Sequence, residues 1–108
     1  MMAVPVVFTS KAASDLLTIY EFEKMLNGAV KARETVKALN VEAKSLGAQL
    51  HHRIGEELDG WEGPPAREVH KDVCLHGDYE IHYEIIPAYE PTPTSIAILR
   101  VWDTRQDR

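Results

Sequence analysis

The sequence predicts an α+β fold in which an antiparallel helical hairpin packs on a four-stranded, mainly antiparallel sheet, in the order β-α-α-β-β-β. Three observations carry this. An alternating segment at the start runs into a helical period that stops at Asn27-Gly28. A second and longer helical period follows at once. After a glycine- and proline-rich stretch at 59–65 the period of the apolar residues drops from 3.6 to 2.

Each element has its own local cause. Val4, Val6 and Phe8 alternate with Pro5 and Val7, a short strand whose proline places it at a sheet edge or a strand start. Thr9 or Ser10 can cap the first helix, and Asp15 lies early enough to favour its positive end. Ala12, Leu16, Ile19 and Leu26 recur at helical spacing, thickened by Leu17, Tyr20 and Phe22. Asn27-Gly28 ends the helix, since both residues tolerate the left-handed conformation of a C-terminal cap. Ala29, Ala32, Val36, Leu39, Ala43, Leu46 and Leu50 then alternate steps of three and four, and Ile54 and Leu58 extend the stripe. Gly47 weakens that helix by ~1 kcal/mol relative to alanine and marks a place for a kink. The short Asn27-Gly28 link requires the two helices to pack antiparallel.

Residues 59–65 read as a loop. Beyond it, Val69, Lys71, Val73 and Leu75 are expected on one face of a strand, with Glu68, His70, Asp72 and Cys74 on the other. His76-Gly77-Asp78 reads as a three-residue turn. Tyr79, Ile81, Tyr83 and Ile85 alternate with Glu80, His82 and Glu84. The nearly continuous apolar run from Ser95 to Trp102 is expected to be a central strand with neighbours on both sides, the first strand among them.

At 108 residues the chain suits a single domain over 1–108 with one core. No apolar run approaches the ~18 residues that cross a bilayer, and Met-Met-Ala-Val-Pro lacks the basic and apolar pattern of a secretory leader. With a lone cysteine, Cys74, these features suggest a reducing, cytoplasmic setting and no membrane association. The net charge of -5 is unevenly spread. Residues 1–58 hold seven basic and seven acidic side chains, whereas residues 59–108 hold five against ten. A nucleic-acid surface needs the opposite sign, because phosphate contacts supply most of its affinity.

Three kinds of chemistry can be weighed on the residues. With a three-residue turn, Asp72 would face His82 and His70 would face Glu84, a set able to hold zinc. Cross-strand charge pairs on a solvated face, each worth less than ~1 kcal/mol, explain the same residues more simply, so neither a metal nor another cofactor is expected. His51 and His52 are adjacent on a helical stretch and point ~100° apart, which rules out a shared ion. Cys74 has no basic neighbour in sequence to activate it, and no glycine loop sits between a strand and a helix to cradle phosphate. What remains is Arg67, Lys71, Tyr79, Tyr83, Arg100, Trp102 and Arg105, a group rich in the side chains that dominate protein interfaces.

Several segments also resemble the RelE/ParE toxin superfamily. Val7-Phe8-Thr9 with Ala13 to Tyr20 is similar to its opening strand and helix. Arg67-Glu68-Val69 and Gly77-Asp78-Tyr79-Glu80-Ile81-His82-Tyr83 resemble its central arginine and glycine-x-tyrosine-arginine-x-x-tyrosine hairpin. The stretch from Ile98 to Asp107 is similar to its closing strand and arginine-x-aspartate end. The resemblance implies the toxin of a type II toxin–antitoxin, or plasmid-stabilisation, system, held in a hetero-oligomer by a cognate antitoxin. RelE-like members cut messenger RNA on the ribosome; ParE-like members inhibit DNA gyrase and are not nucleases.

A nuclease reading would rest on Arg67, Lys71, Tyr83 and Arg105. A binding reading would rest on Arg67, Tyr79, Tyr83, Arg100, Trp102 and Arg105 toward gyrase or antitoxin. Glu80 stands where the family pattern has arginine, and a carboxylate there repels a scissile phosphate rather than stabilising its transition state. No tyrosine or histidine follows Arg105 to help proton transfer. The ParE-like branch is therefore favoured. The remaining alternative is a family member that binds antitoxin without being toxic.

Overall fold

The computed structural model describes residues 4–48, 56–57, 67–90 and 92–105. Strand β1 (Val6–Phe8) leads into helix α1 (Ser10–Asn27) and helix α2 (Ala29–Ala48), followed by β2 (Glu56–Glu57), β3 (Glu68–Cys74), β4 (Tyr79–Ile86) and β5 (Ser95–Asp103). The sheet order is β1-β5-β4-β3-β2; β1 runs parallel to β5 and every other pair is antiparallel. The expected hairpin on a mixed sheet is present, and β5 has neighbours on both sides, β1 among them. The two-residue β2 adds an edge ribbon beside Lys71 and His70. It also shows that the helical stripe does not continue through Glu56–Glu57. Leu50, His51, His52, Ile54, Leu58, the loop at 59–65 and the tail from Gln106 lie outside the described residues.

Thr9 is the N-cap of α1. Its hydroxyl accepts from the Ala12 N–H at 3.2 Å and donates to the Ile98 carbonyl at 2.8 Å, so one side chain starts the helix and ties it to β5. Gly28 ends α1 with φ of 91°, a conformation glycine adopts without the Cβ penalty, and its N–H donates to the Lys24 carbonyl. Ala12 and Ile19 of α1 and Ala32, Leu39, Ala43 and Leu46 of α2 are buried. All of these but Ala32 meet Tyr79, Ile81, Tyr83 and Ile85 of β4 and Ile96, Ile98 and Val101 of β5 in one core.

Gly47 has a purpose other than a kink. α2 continues past it, and a Cβ there would collide with the carbonyl oxygen of Val4, whose N–H donates to the Gly47 carbonyl at 3.3 Å. The glycine lets the first strand close onto the helix.

The β3–β4 hairpin departs from the sequence reading by one residue. The turn has four residues, Leu75 to Asp78, because Cys74 pairs with Tyr79. His70 therefore lies opposite Tyr83, Lys71 opposite His82 and Asp72 opposite Ile81. A slip of one position turns every side chain to the other face. Glu68, His70, Asp72 and Cys74 share the core side with the apolar residues of β4, while Lys71 and the half-exposed Val73 share the opposite side with Glu80, His82 and Glu84. The proposed zinc set of Asp72–His82 and His70–Glu84 is divided between the two faces. Among the described residues no cluster of three or more histidine, cysteine or acidic side chains could hold a metal ion.

Candidate functional site

The basic residues singled out from the sequence do not converge. Arg67, just before β3, forms a two-pronged pair with Glu84, with Nε 2.9 Å from Oε2. Its guanidinium is held above its usual range, chiefly by that hydrogen bond. Arg105 lies at the other end of the sheet, beside the β3–β4 turn. Seven residues of extended chain separate Arg67 from the level of Cys74, roughly 23 Å at the strand rise. Lys71 points from the middle of β3 to the helix-free face. Arg67, through its pair with Glu84, shares the helix-free face with Lys71, whereas Arg105 is held at the far end of the sheet by Tyr79 and Glu23, so no single phosphate can touch all three.

Arg105 is the best-anchored of the three. Its Nε donates to Asp103 Oδ1 at 3.0 Å, and Nη2 donates to the Tyr79 hydroxyl at 2.9 Å and to Glu23 Oε1 at 3.3 Å. Asp78 stands 3.6 Å away and the Tyr79 ring lies under the guanidinium. The hydrogen bond to Asp103 comes first among the causes that raise the Arg105 pKa, so it stays cationic throughout. Burial pushes the Tyr79 phenol up to about 12. Glu23, Asp78, Tyr79 and Arg105 line a cleft of about 360 Å³ together with Lys31, Glu34 and Thr35 of α2 and Leu75 and His76 of the turn. Leu75, His76 and Gly77 of this turn all have positive φ.

Tyr79 and Tyr83, placed by the sequence reading among contact residues, are instead core side chains at 2% and 1% exposure. Tyr83 stacks on His70 at a centroid distance of 5.6 Å. Burial, with the charges of Asp72 and Glu42, pushes the Cys74 thiol up to about 12, which leaves it inert.

Arg100 and Trp102 do form a unit. The guanidinium of Arg100 lies 4.0 Å from the centre of the Trp102 ring, and Trp102 sits opposite Glu80 with His82 tilted against it at 6.2 Å. Across β3, β4 and β5 the residues Lys71, His82 and Arg100 line up in register, and Val73, Glu80 and Trp102 form the next row. Glu80 engages His82 Nε2 at 3.2 Å. The helix-free face is therefore a mosaic of both charges around an aromatic ring, not a basic groove.

Two features escaped the sequence reading. Asp15 accepts from Arg100 Nε at 2.7 Å and from the Val101 N–H at 2.9 Å, which covers the edge of β5 beyond the end of β1. Its position near a helix start suggested only a dipole role. The second is an apolar groove on the outer side of the helical hairpin. Ala13, Leu16, Leu17, Tyr20 and Val36 form its floor, and Arg33, Lys37 and Lys44 stand along its rim with Val41. Leu17 and Val41 are each more than half exposed. Their helical spacing had marked Leu17, Tyr20 and Val36 as core.

Comparison with known proteins agrees with this fold. A family model described as the ParE toxin of the type II toxin-antitoxin system parDE matches residues 6–108. The chain belongs to the ParE toxin family. A solved structure titled as the chromosomal ParDE system from P. aeruginosa is similar to it, with a TM-score of 0.69 and 23% sequence identity over 94% of this chain and 96% of that one. At that identity the likeness concerns the fold. No curated protein sequence matches the chain. No described helix of this ParE-family toxin is long and apolar enough to cross a membrane.

Proposed function

We propose that this ParE-family toxin acts in the cytoplasm by binding DNA gyrase, and that a cognate antitoxin neutralises it. The separation of Arg105 from Arg67 and Lys71 carries the reading. Cleavage of RNA requires preorganised positive charge converging on one phosphate. Here Arg67 and Arg105 are each held by carboxylates, and Glu80 stands in the middle of the helix-free face. The same face offers a protein partner an arginine stacked on a tryptophan, the pair of residue types most enriched among energetic anchors of interfaces.

The antitoxin is assigned to the hairpin groove. An apolar floor between Leu17, Tyr20 and Val36 with a basic rim fits an amphipathic segment whose apolar residues recur at helical spacing and whose flanks are acidic. The two surfaces lie on opposite sides of the molecule, helices against open sheet.

A supercoiling assay with purified gyrase tests the activity. Inhibition is expected at micromolar toxin, and Trp102→Ala should raise the required concentration roughly 30-fold, as loss of an interface anchor of ~2 kcal/mol does. Undiminished supercoiling in the presence of folded toxin sinks the gyrase reading. Site-specific cleavage of translated messages in its place would move the protein to the RelE-like activity.

A further inference from the structure

Asn27 and Gly28 do more than end α1. The main-chain nitrogen that follows an asparagine can attack the side-chain amide carbon, and a glycine in that place has no Cβ to hinder ring closure. Both residues are exposed to water at the link between α1 and α2. The fold nevertheless holds both reacting groups. The Gly28 N–H donates to the Lys24 carbonyl at 3.0 Å, and Asn27 Nδ2 donates to Glu23 Oε2 at 3.2 Å. Glu23 is itself buried, and its other oxygen, Oε1, accepts from Arg105 Nη2 at 3.3 Å.

We propose that Asn27-Gly28 is a latent deamidation site, kept closed by the Arg105–Glu23 ion pair and unable to close again once it has reacted. In the first step Gly28 N bonds to Asn27 Cγ while the Cγ–Nδ2 bond breaks. The Gly28 amide proton leaves with Nδ2 as ammonia. Water, the sole co-reactant, then opens the cyclic imide at one of its two carbonyls. The product at position 27 is aspartate, or isoaspartate with the main chain rerouted through the side chain.

Attack needs the Gly28 nitrogen released from its hydrogen bond and the Asn27 amide carbon turned toward it. Neither condition holds while the last turn of α1 is closed, because the N–H is committed to Lys24 and the amide to Glu23. Opening of that turn is therefore the gate. Glu23 resists it, since its carboxylate cannot swing into water without leaving Arg105.

After reaction the same contacts work in reverse. The amide that donated to Glu23 becomes a carboxylate four residues from another carboxylate, a repulsive spacing on a helix. It also stands at the helix end that disfavours negative charge. Lys24, the basic residue of that turn, is exposed and offsets little of the repulsion through water. Glu23 is pushed from its place under Arg105, so a modified molecule holds the end of α1 less firmly than before.

Peptide mapping by mass spectrometry, on the full chain held in mildly alkaline buffer, follows the conversion. Deamidation at Asn27 is expected to run at least ~10-fold slower in the folded protein than in the same chain unfolded in urea, because reaction requires local opening. Arg105→Ala should speed it several-fold, with a matching rise in amide exchange at Gly28. Equal rates in folded and unfolded wild type would overturn the proposal, and so would an unchanged rate in folded Arg105→Ala. The consequence is read from thermal melts that leave Arg105 in place. Asn27→Asp should melt several degrees below wild type, whereas Asn27→Gln, which keeps an amide donor, should melt closer to it. Equal melting of Asn27→Asp and wild type would show that position 27 does not hold Glu23 and would also overturn it. Should Arg105→Ala fail to fold, these melts and the folded-against-unfolded rates decide.

Discussion

The two ends of the sheet are each closed by an arginine, and they are closed in different ways. Arg67 meets Glu84 with partners that both remain partly exposed, at 28% and 18%. Arg105 meets Asp103 and Glu23, which are buried to 2% and 4%, and adds the Tyr79 hydroxyl. The geometry of the Arg67 pair is the neater of the two. Its energetic weight is nonetheless smaller, because what an ion pair is worth depends on what its loss leaves behind. An exposed carboxylate returns to water, whereas a buried one has no substitute partner. Arg105 therefore works as a clamp between the end of α1 and the end of β5. That role engages in the fold the basic residue near the end of the chain that a nuclease reading would need.

Removing Arg105 should produce the largest effect. Arg105→Ala leaves Asp103 and Glu23 buried and uncompensated, and a loss of about 3 kcal/mol in unfolding free energy is expected by denaturant titration. Adding Asp103→Asn should recover part of that loss, because one of the two orphaned charges disappears. A decrease below ~1 kcal/mol for Arg105→Ala would put the two ends of the sheet on an equal footing and remove the contrast.

A change of intermediate size tests the edge of β5 between those ends. β1 pairs only with Ile96 to Ile98, so the Val101 N–H depends on Asp15. Asp15→Ala strands that donor and frees Arg100 from its two-pronged partner. The expected cost is ~1–3 kcal/mol, with faster amide exchange at Val101 than at Ile98. Unchanged exchange at Val101 would mean that α1 shields the edge without Asp15.

How much of this was legible in advance depended on the tolerance of each pattern to a one-residue error. The stripe through Ala32, Leu39, Ala43 and Leu46 identified the buried side of α2, because several positions vote for one direction and an error of one turns the face by only ~100°. β3 had no such redundancy. Reading Leu75 as the last strand residue instead of the first turn residue inverted the faces of Asp72, His70 and Lys71 together. Alternation alone could not correct it, since both faces of β3 mix apolar and polar residues: Val69 is buried, and so are Glu68 and His70. The Arg105 clamp was hidden for a different reason. Glu23 and Asp103 are 80 residues apart in the chain, and only the packing of α1 against β5 brings them to one guanidinium. The groove was hidden because a floor of Leu17, Tyr20 and Val36 has the same spacing whether it faces the core or a partner.

The smallest effect is expected at Arg67. Arg67→Ala should cost no more than ~1 kcal/mol, since Glu84 regains water and the partners lose a half-solvated bond. Raising the salt concentration should weaken the wild-type pair and narrow the gap between wild type and variant, as it does for exposed charges. The residue also bears on the proposed activity, because it opens the hairpin that resembles the family pattern. With so small a structural role, any large change in gyrase inhibition by Arg67→Ala must come from a lost contact with the target and not from the fold. The same substitution at Arg105 could never separate the two, because there the clamp and the charge are one side chain.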